Sequence, residues 1–558
     1  MVRVLKNTVD RRDFVKRSGL ALGACMVAGP FGGLTMRGAR AQVEGGFSDL
    51  IPSPFGPPRP ARDLATGLPL LSLPPGFRYQ SFGWTGDQLA DGLVTPNDHD
   101  GMAIVAVNGR RLTLIRNHEI TGTSILGGDP EPLFNANGGA SVYDPVGGAA
   151  GGAGGGCTRL EYDGRRFTTA SSALGGTRNN CAGGPTPWGS WMSCEEDGVT
   201  LFPGLDHGFV FDVPASGQAT GTALTQLGRF SHEAIAVDPR TNAVLLTEDS
   251  SPTFSGIYLF VPTNAAEAAN GLERPDGSLV DGQFYMLAVD GQPNANLTNP
   301  QLGDRFDVAM VPVPTGFAPG QASGPFFVPP QLAAATGLPD VTELFSDPAF
   351  LPFATPEGQF SDGQVATDPI MSSAIVGGIR AGGAIFRRGE GAWFANGTFF
   401  FADTFGGAAV EGAIWAFTPD PADPTRGVLE CLFVSPDAAV GNNVDNITIH
   451  PRTGTILACE DGGGLARLTF VLPDGNTFVF AENNIQLSPS DIAGTTDMTG
   501  APRNPDALGV TDQTDFTGQE WAGASFSPDG NTLFVNIQTP GITFAIQGPF
   551  LKLLAFRR

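Results

Sequence analysis

Seven segments of the chain share one design: a turn, a short β-branched or aromatic run, then a carboxylate or amide. They read VNGRRLTLIRNHE (Val107–Glu119), PTPWGSWMSCEED (Pro185–Asp197), VDPRTNAVLLTED (Val237–Asp249), FANGTFFFADT (Phe394–Thr404), IHPRTGTILACED (Ile449–Asp461), VLPDGNTFVFAE (Val471–Glu482) and FSPDGNTLFVNIQ (Phe526–Gln538). The Asn-Gly and Pro-Asp-Gly pieces are hairpin turns, because glycine accepts positive φ without steric cost. The run after each turn has strand propensity. With 77 Gly and 46 Pro, the chain is punctuated too often for a helix bundle, and its 40 Phe and 6 Trp supply too much apolar surface for disorder.

Units recurring at tens of residues point to radial repetition. Taking Glu119, Glu196, Glu248, Asp403, Glu460 and Asn536 as markers, the gaps are 77, 52, 155, 57 and 76 residues. A four-stranded propeller blade needs roughly 40–50 residues, so the gaps fit blades carrying insertions. The largest insertion falls at about 262–380 and reads as Pro/Gly-rich excursions over one face. The fold expected is all-β: a single β-propeller of six blades with long loop insertions. A pair of β-sandwiches is the other arrangement.

Residues 1–41 read as an address. A basic region holds Arg11-Arg12-Asp13-Phe14-Val15-Lys16, a Gly/Ala-rich stretch follows from Gly19 to Met36, and Ala39-Arg40-Ala41 is a small-x-small cleavage site. The paired arginines resemble a twin-arginine (Tat) signal. Cleavage after Ala41 would leave residues 42–558 as the propeller, periplasmic or secreted. Leu22-Gly23-Ala24-Cys25 is a weaker, lipoprotein-like alternative. No apolar run approaches the roughly 20 residues of a membrane span.

The formal charge is −24. Residues 1–41 contribute +6, from eight Lys/Arg and two Asp/Glu, so the remainder carries −30. That balance excludes a phosphate backbone as partner and calls for hard cations, calcium first. Besides Cys25 there are cysteines at 157, 181, 194, 431 and 459, an odd number with no CxxC. At least one thiol is therefore expected free, buried or metal-bound. The Gly147–Gly156 run reads as a flexible loop, and no P-loop Lys-Ser/Thr follows it.

In a propeller the innermost strands converge on a channel. Carboxylates at one place in each blade would meet there, and cations would relieve their repulsion. The strand-end candidates are Glu119, Glu196, Glu248, Asp249, Asp403, Glu460 and Asp461. Cys181 is expected in a loop between Asn179-Asn180 and Ala182-Gly183-Gly184, where a thiolate could ligate iron. Asn179 and Asn180 could donate to a phosphate, or could serve a local turn. Cys194 and the residues His118 and His232 read as buried strand positions, His99 as a loop residue, and His207 and His450 as structural.

The twin-arginine segment, Asn117-His118-Glu119, NNCAGGPTPWGSWMSCEE, Gly228-Arg229-Phe230-Ser231-His232-Glu233-Ala234, Thr247-Glu248-Asp249, Cys459-Glu460-Asp461-Gly462 and the tail FSPDGNTLFVNIQTPG resemble the PhoX-type alkaline phosphatase family. The resemblance implies a six-bladed propeller holding Fe3+ and Ca2+ at one end of its channel, and hydrolysis of small phosphate monoesters; a monomer is expected. It places Cys181 at the iron-binding cysteine. Either Glu195 or Glu196 falls at a ligand position, and Glu233 at the next. Glu390 is implied as a further ligand and Arg388 as a phosphate clamp, in Arg388-Gly389-Glu390 where the family has Arg-Pro-Glu. The family's Gln-His-Pro-Gly tail is Gln538-Thr539-Pro540-Gly541 here. Two other classes compete: a calcium-dependent lactonase or phosphodiesterase propeller, which needs no thiolate, and a non-catalytic, calcium-stabilised surface propeller.

Overall fold

The protein is described by a computed structural model covering residues 46–120, 141–149, 152–198, 200, 203–250, 254–313, 326–328, 333–334, 340–346, 348–349 and 371–556. Residues 1–41, read above as a signal, Cys25 and part of the 262–380 insertion lie outside these residues.

Among the described residues, six sheets, antiparallel but for the parallel pair Ser141–Val142 with Leu174–Gly175, follow one another in chain order around one axis. Their innermost strands are His99–Asn108, Asn180–Pro185, His232–Val237, Gly389–Ala395, Val444–Ile449 and Trp521–Phe526, each packed against the next. The second strands are Arg111–His118, Ser190–Glu195, Val244–Glu248, Thr398–Asp403, Ile456–Glu460 and Thr532–Ile537. Blade two has three strands, and the others have four or more. The ring is closed by Arg78–Phe82, which pairs with Ile542–Gln547 as the outermost strand of blade six. The two ends of the fold thus share one sheet, and the early strand covers the outer edge that Ile542–Gln547 would otherwise expose.

The expected turns form. Asn396 and Gly397 both have positive φ, 52° and 85°, as a two-residue hairpin between twisted strands requires. The long insertion differs from its reading as surface excursions. Gly282–Met286 and Val311–Pro312 complete the outer side of blade three, and Arg305–Ala309 adds a strand to blade four. Their alternation was masked by the Pro/Gly-rich sequence around them.

Aromatic wedges fill the space between blades. Phe55, Phe77, Phe470, Phe480 and Phe550 interlock where blades five and six meet, with Phe77 and Phe550 ring centroids 4.9 Å apart. Phe386, Phe399, Phe401, Trp415 and Phe417 sit in the core shared by blades three and four. Each fully buried ring contributes about 1.5–3 kcal/mol, so the wheel is held by its spokes. The five described cysteines are all buried. Among the described residues, no helix is long and apolar enough to cross a membrane.

One irregularity recurs in all six blades. Near its start, each innermost strand carries one residue more than the partner it faces, as in His99↔His118 followed by Met102↔Arg116. Such a bulge bends the strand and re-aims the side chain beside it. The third residue of these strands is small or amide: Gly101, Ala182, Ala234, Gly391, Asn446 and Gly523. At Gly391 a Cβ would come within 2.6 Å of the Asn446 Cα, so the backbones near the axis touch there.

Candidate metal centre in the central channel

The bulges set up two rings of side chains. The first is the second residue of each innermost strand: Asp100, Cys181, Glu233, Glu390, Asp445 and Ala522. Five of the six are ligand types. The second ring is the residue just past each second strand: Glu119, Glu196, Asp249, Thr404, Asp461 and Gln538. The residues just before the innermost strands are Asp98, Asn179, Ser231, Arg388, Asn443 and Glu520. Four of these adopt left-handed φ without being glycine: Asp98 at 46°, Asn179 at 48°, Arg388 at 49° and Asn443 at 50°. That conformation costs roughly 1–2 kcal/mol per residue, and its repetition marks the place where the chain turns into the channel.

Four overlapping groups could each hold a cation, with ligand atoms within 4.8 Å of one another: Asp100, Glu119 and Cys181; Cys181, Glu196 and Glu233; Glu233, Glu390 and Asp445; Asp445, Asp461 and Glu520. Shared members join them into one chain of candidate ligands that draws on all six blades. Cys181 Sγ lies 3.7 Å from Asp100 Oδ2. Neither carboxylate oxygen of Glu233, nor Asp100 Oδ1, has a hydrogen-bond donor, although all are buried. Buried polar atoms are nearly always paired. Orphaned anionic oxygens beside a thiol fit cations, and this donor set suits them: oxygen for hard ions, sulfur for a softer one.

The electrostatics agree. Burial, then mutual repulsion, pushes Glu119, Glu196, Glu233, Glu390, Asp445 and Glu520 well above the usual carboxylate range. The Cys181 thiol is pushed up by burial and then by Asp100 and Glu233. So many groups cannot all ionise at close range in the bare chain, and bound cations invert that balance.

Amides hold the ring in place. Gln538 Nε2 donates to Glu119 Oε2 at 2.6 Å and to Asp100 Oδ2 at 3.3 Å. Asn179 Nδ2 donates to the Glu196 carbonyl at 2.8 Å and to its Oε2 at 3.3 Å. Arg388 stands beside the ring. Its Nη2 is 2.8 Å from Glu390 Oε1 and 3.0 Å from Asp249 Oδ2, and its guanidinium lies 4.9 Å from the Phe405 ring centroid.

Of the residues singled out from the sequence, Glu119, Cys181, Glu196, Glu233, Glu390 and Asp461 meet in these groups. Four others point elsewhere. Glu195 accepts from His207 Nδ1 at 2.6 Å and from the Gly208 and Phe209 backbone. Glu248 accepts from Tyr258 at 2.5 Å and Ser372 at 2.7 Å. Asp403 accepts from the Arg387 N–H at 3.0 Å, and Glu460 from Arg467 at 2.7 Å. Asp249 faces Arg388. Asn180 is fully buried, donating to Ser193 Oγ at 2.8 Å and accepting from Thr177, so its carboxamide is engaged within the sheet. Cys181 is not in a loop but in the innermost strand of blade two, 6% exposed. His99, too, begins a strand and is fully buried. The expectations for Cys194, His118 and His232 hold, since all three are fully buried strand residues.

Asp100, Asp445 and Glu520 were missed. The signal was a second repeat, offset from the first: Asp98-His99-Asp100-Gly101, Asn179-Asn180-Cys181-Ala182, Ser231-His232-Glu233-Ala234, Arg388-Gly389-Glu390-Gly391, Asn443-Val444-Asp445-Asn446 and Glu520-Trp521-Ala522-Gly523. Its third place is the ligand ring, and its fourth is the close backbone approach.

The family model described as alkaline phosphatase PhoX matches residues 53–173 and 151–541. No curated protein matches the chain. Among solved structures, a gluconolactonase from Xanthomonas campestris is similar at 14% identity and a TM-score of 0.33, covering 89% of this chain and 97% of its own. The PQQ domain of a pyranose dehydrogenase from Coprinopsis cinerea is similar at 10% identity and a TM-score of 0.28, covering 86% and 97%.

Proposed function

The chain belongs to the alkaline phosphatase PhoX family, whose members are phosphomonoesterases, and on that premise we propose an exported enzyme that hydrolyses small phosphate monoesters at an iron- and calcium-bearing centre in the channel. The observation that carries the reading is the ligand chain from Glu119 to Glu520, with its buried thiol and its orphaned Glu233 oxygens. Cys181, with Asp100, Glu119, Glu196 and Glu233, would hold iron, because thiolate selects the softer ion. Glu390, Asp445, Asp461 and Glu520 form an all-oxygen set suited to calcium. When bound, these ions supply the positive charge that a phosphoryl group needs as it is attacked.

The chain's own residues do the rest. Arg388 is 20% exposed beside the ring, which would place a permanent cation within reach of an anionic ester. Gln538 and Asn179 fix the carboxylates they bond, so the site is set before substrate arrives. Export follows the twin-arginine signal read in residues 1–41, the protein acting as a monomer in the periplasm or outside the cell.

The test is elemental analysis of purified protein alongside hydrolysis of an aryl phosphate. Iron, calcium and turnover together are expected, and all but calcium should be lost in Cys181→Ser. A Cys181→Ser protein with full activity and no iron requirement would make a calcium-only hydrolase the better reading.

A further inference from the structure

Arg388 does not present an open fork. Its Nε is 3.2 Å and 3.1 Å from the two oxygens of Asp249, and its Nη2 is 3.0 Å from Asp249 Oδ2. The edge of a guanidinium that best matches a carboxylate or a phosphate is therefore filled by a carboxylate of the protein itself. Glu390 takes Nη2 at 2.8 Å, and Phe405 lies against one face of the guanidinium. Among the described contacts Nη1 alone is uncommitted. Asp249 is 5% exposed, so the pair is shielded from solvent and from screening by salt.

We propose that Asp249 is a built-in competitor for the anion bound by Arg388: it occupies the Nε/Nη2 edge when the site is empty, yields it to the phosphoryl group, and takes it back as phosphate leaves. This rests on the phosphatase reading above and adds to it a residue that sets phosphate affinity. The physical need is clear. A site with several cations and a free arginine would retain the dianionic product, and turnover would stall on release. A carboxylate tethered beside the arginine acts as a high local concentration of competing anion. Phe405 keeps the guanidinium plane fixed, so the exchange needs only movement of the anions in that plane.

The experiment is a double-mutant cycle on the metal-loaded protein, read by calorimetric titration with inorganic phosphate. Metal content is measured for every variant, because Asp249 adjoins Glu196. Asp249→Asn keeps the shape and removes the charge. It should tighten phosphate binding about tenfold and lower kcat and KM together as release slows. Asp249→Ser repeats the comparison with a second side chain and should shift binding the same way. In an Arg388→Lys background, where the fork is gone, Asp249→Asn should change the phosphate Kd less than about twofold. Unchanged or weaker phosphate binding in both Asp249 variants overturns the proposal. So does equal tightening with and without Arg388, which would make the effect one of net charge. If the wild-type protein binds no phosphate, the phosphatase reading itself falls, whatever the variants do.

Discussion

Asn117 and Cys181 lie in neighbouring blades, and the Asn117 carboxamide donates to the Cys181 carbonyl at 2.9 Å. The same amide group reaches the Ala182 carbonyl at 2.7 Å, while its oxygen accepts from Trp191 Nε1 and Ser193 Oγ, each at 2.9 Å. One buried side chain thus fixes the backbone that carries the thiol. Asn117→Ala would leave several buried groups unpaired. It should cost about 3 kcal/mol, read by denaturant unfolding, and should lower bound iron although Asn117 is no ligand. A loss under about 1 kcal/mol would show that water replaces the amide.

Cys181→Ala should bleach any thiolate-to-iron colour, reduce iron content and abolish phosphatase activity, while the six blades still form. Cys194, fully buried in the adjoining strand, provides the comparison. Cys194→Ala should cost roughly 1 kcal/mol of packing and leave colour and iron unchanged. Visible spectra and melting curves of the two variants decide between a ligand thiol and a core thiol.

Glu233 and Glu248 are both buried, but one faces orphaned space and the other three donors. Glu233→Gln should lose metal, and it should stabilise the chelated protein at neutral pH, where the buried carboxyl must otherwise ionise unpaired or take up a proton on folding. Glu248→Gln should keep the metal and cost about 1–3 kcal/mol through its broken bonds to Tyr258 and Ser372. The reverse pattern in elemental analysis would exchange the roles assigned to them.

Chelated and loaded protein should respond to pH in opposite directions. Glu233 and Glu390 are raised above 4.5, and Asp100 and Asp445 above 3.8, in the folded chain. Above those values the folded state therefore binds more protons than the unfolded one, and stability falls as pH rises. Glu248, pushed up to about 7 chiefly by burial, extends the loss to neutrality. Calcium needs the carboxylates deprotonated, so the loaded protein should gain stability over the same range. Melting temperatures from pH 4 upward, with and without chelator, should diverge; parallel curves would count against cation binding by the ring.

Replacing Arg11-Arg12 with Lys-Lys should hold the precursor inside the cell, and normal export would refute the twin-arginine reading. The wild-type mature chain should begin at Gln42.

The turn-strand units, their spacing and the excess of carboxylates made a six-bladed propeller with carboxylates gathered at its channel legible from the sequence. These are local properties: a Gly-opened turn and a β-branched run keep their meaning wherever they sit. Which carboxylate enters the channel was not local. Glu119 and Glu196 stand one place past their strand ends, whereas Glu248, Asp403 and Glu460 stand at theirs. A single-residue offset sends a strand side chain to the opposite face, so markers that looked equivalent divide between the channel and the blade interior. The bulge in every innermost strand, which brings Asp100, Cys181, Glu233, Glu390 and Asp445 together, exists only once two strands pair. The residue types needed for a cation site were therefore written in the chain, but register between strands and closure of the ring chose which of them meet.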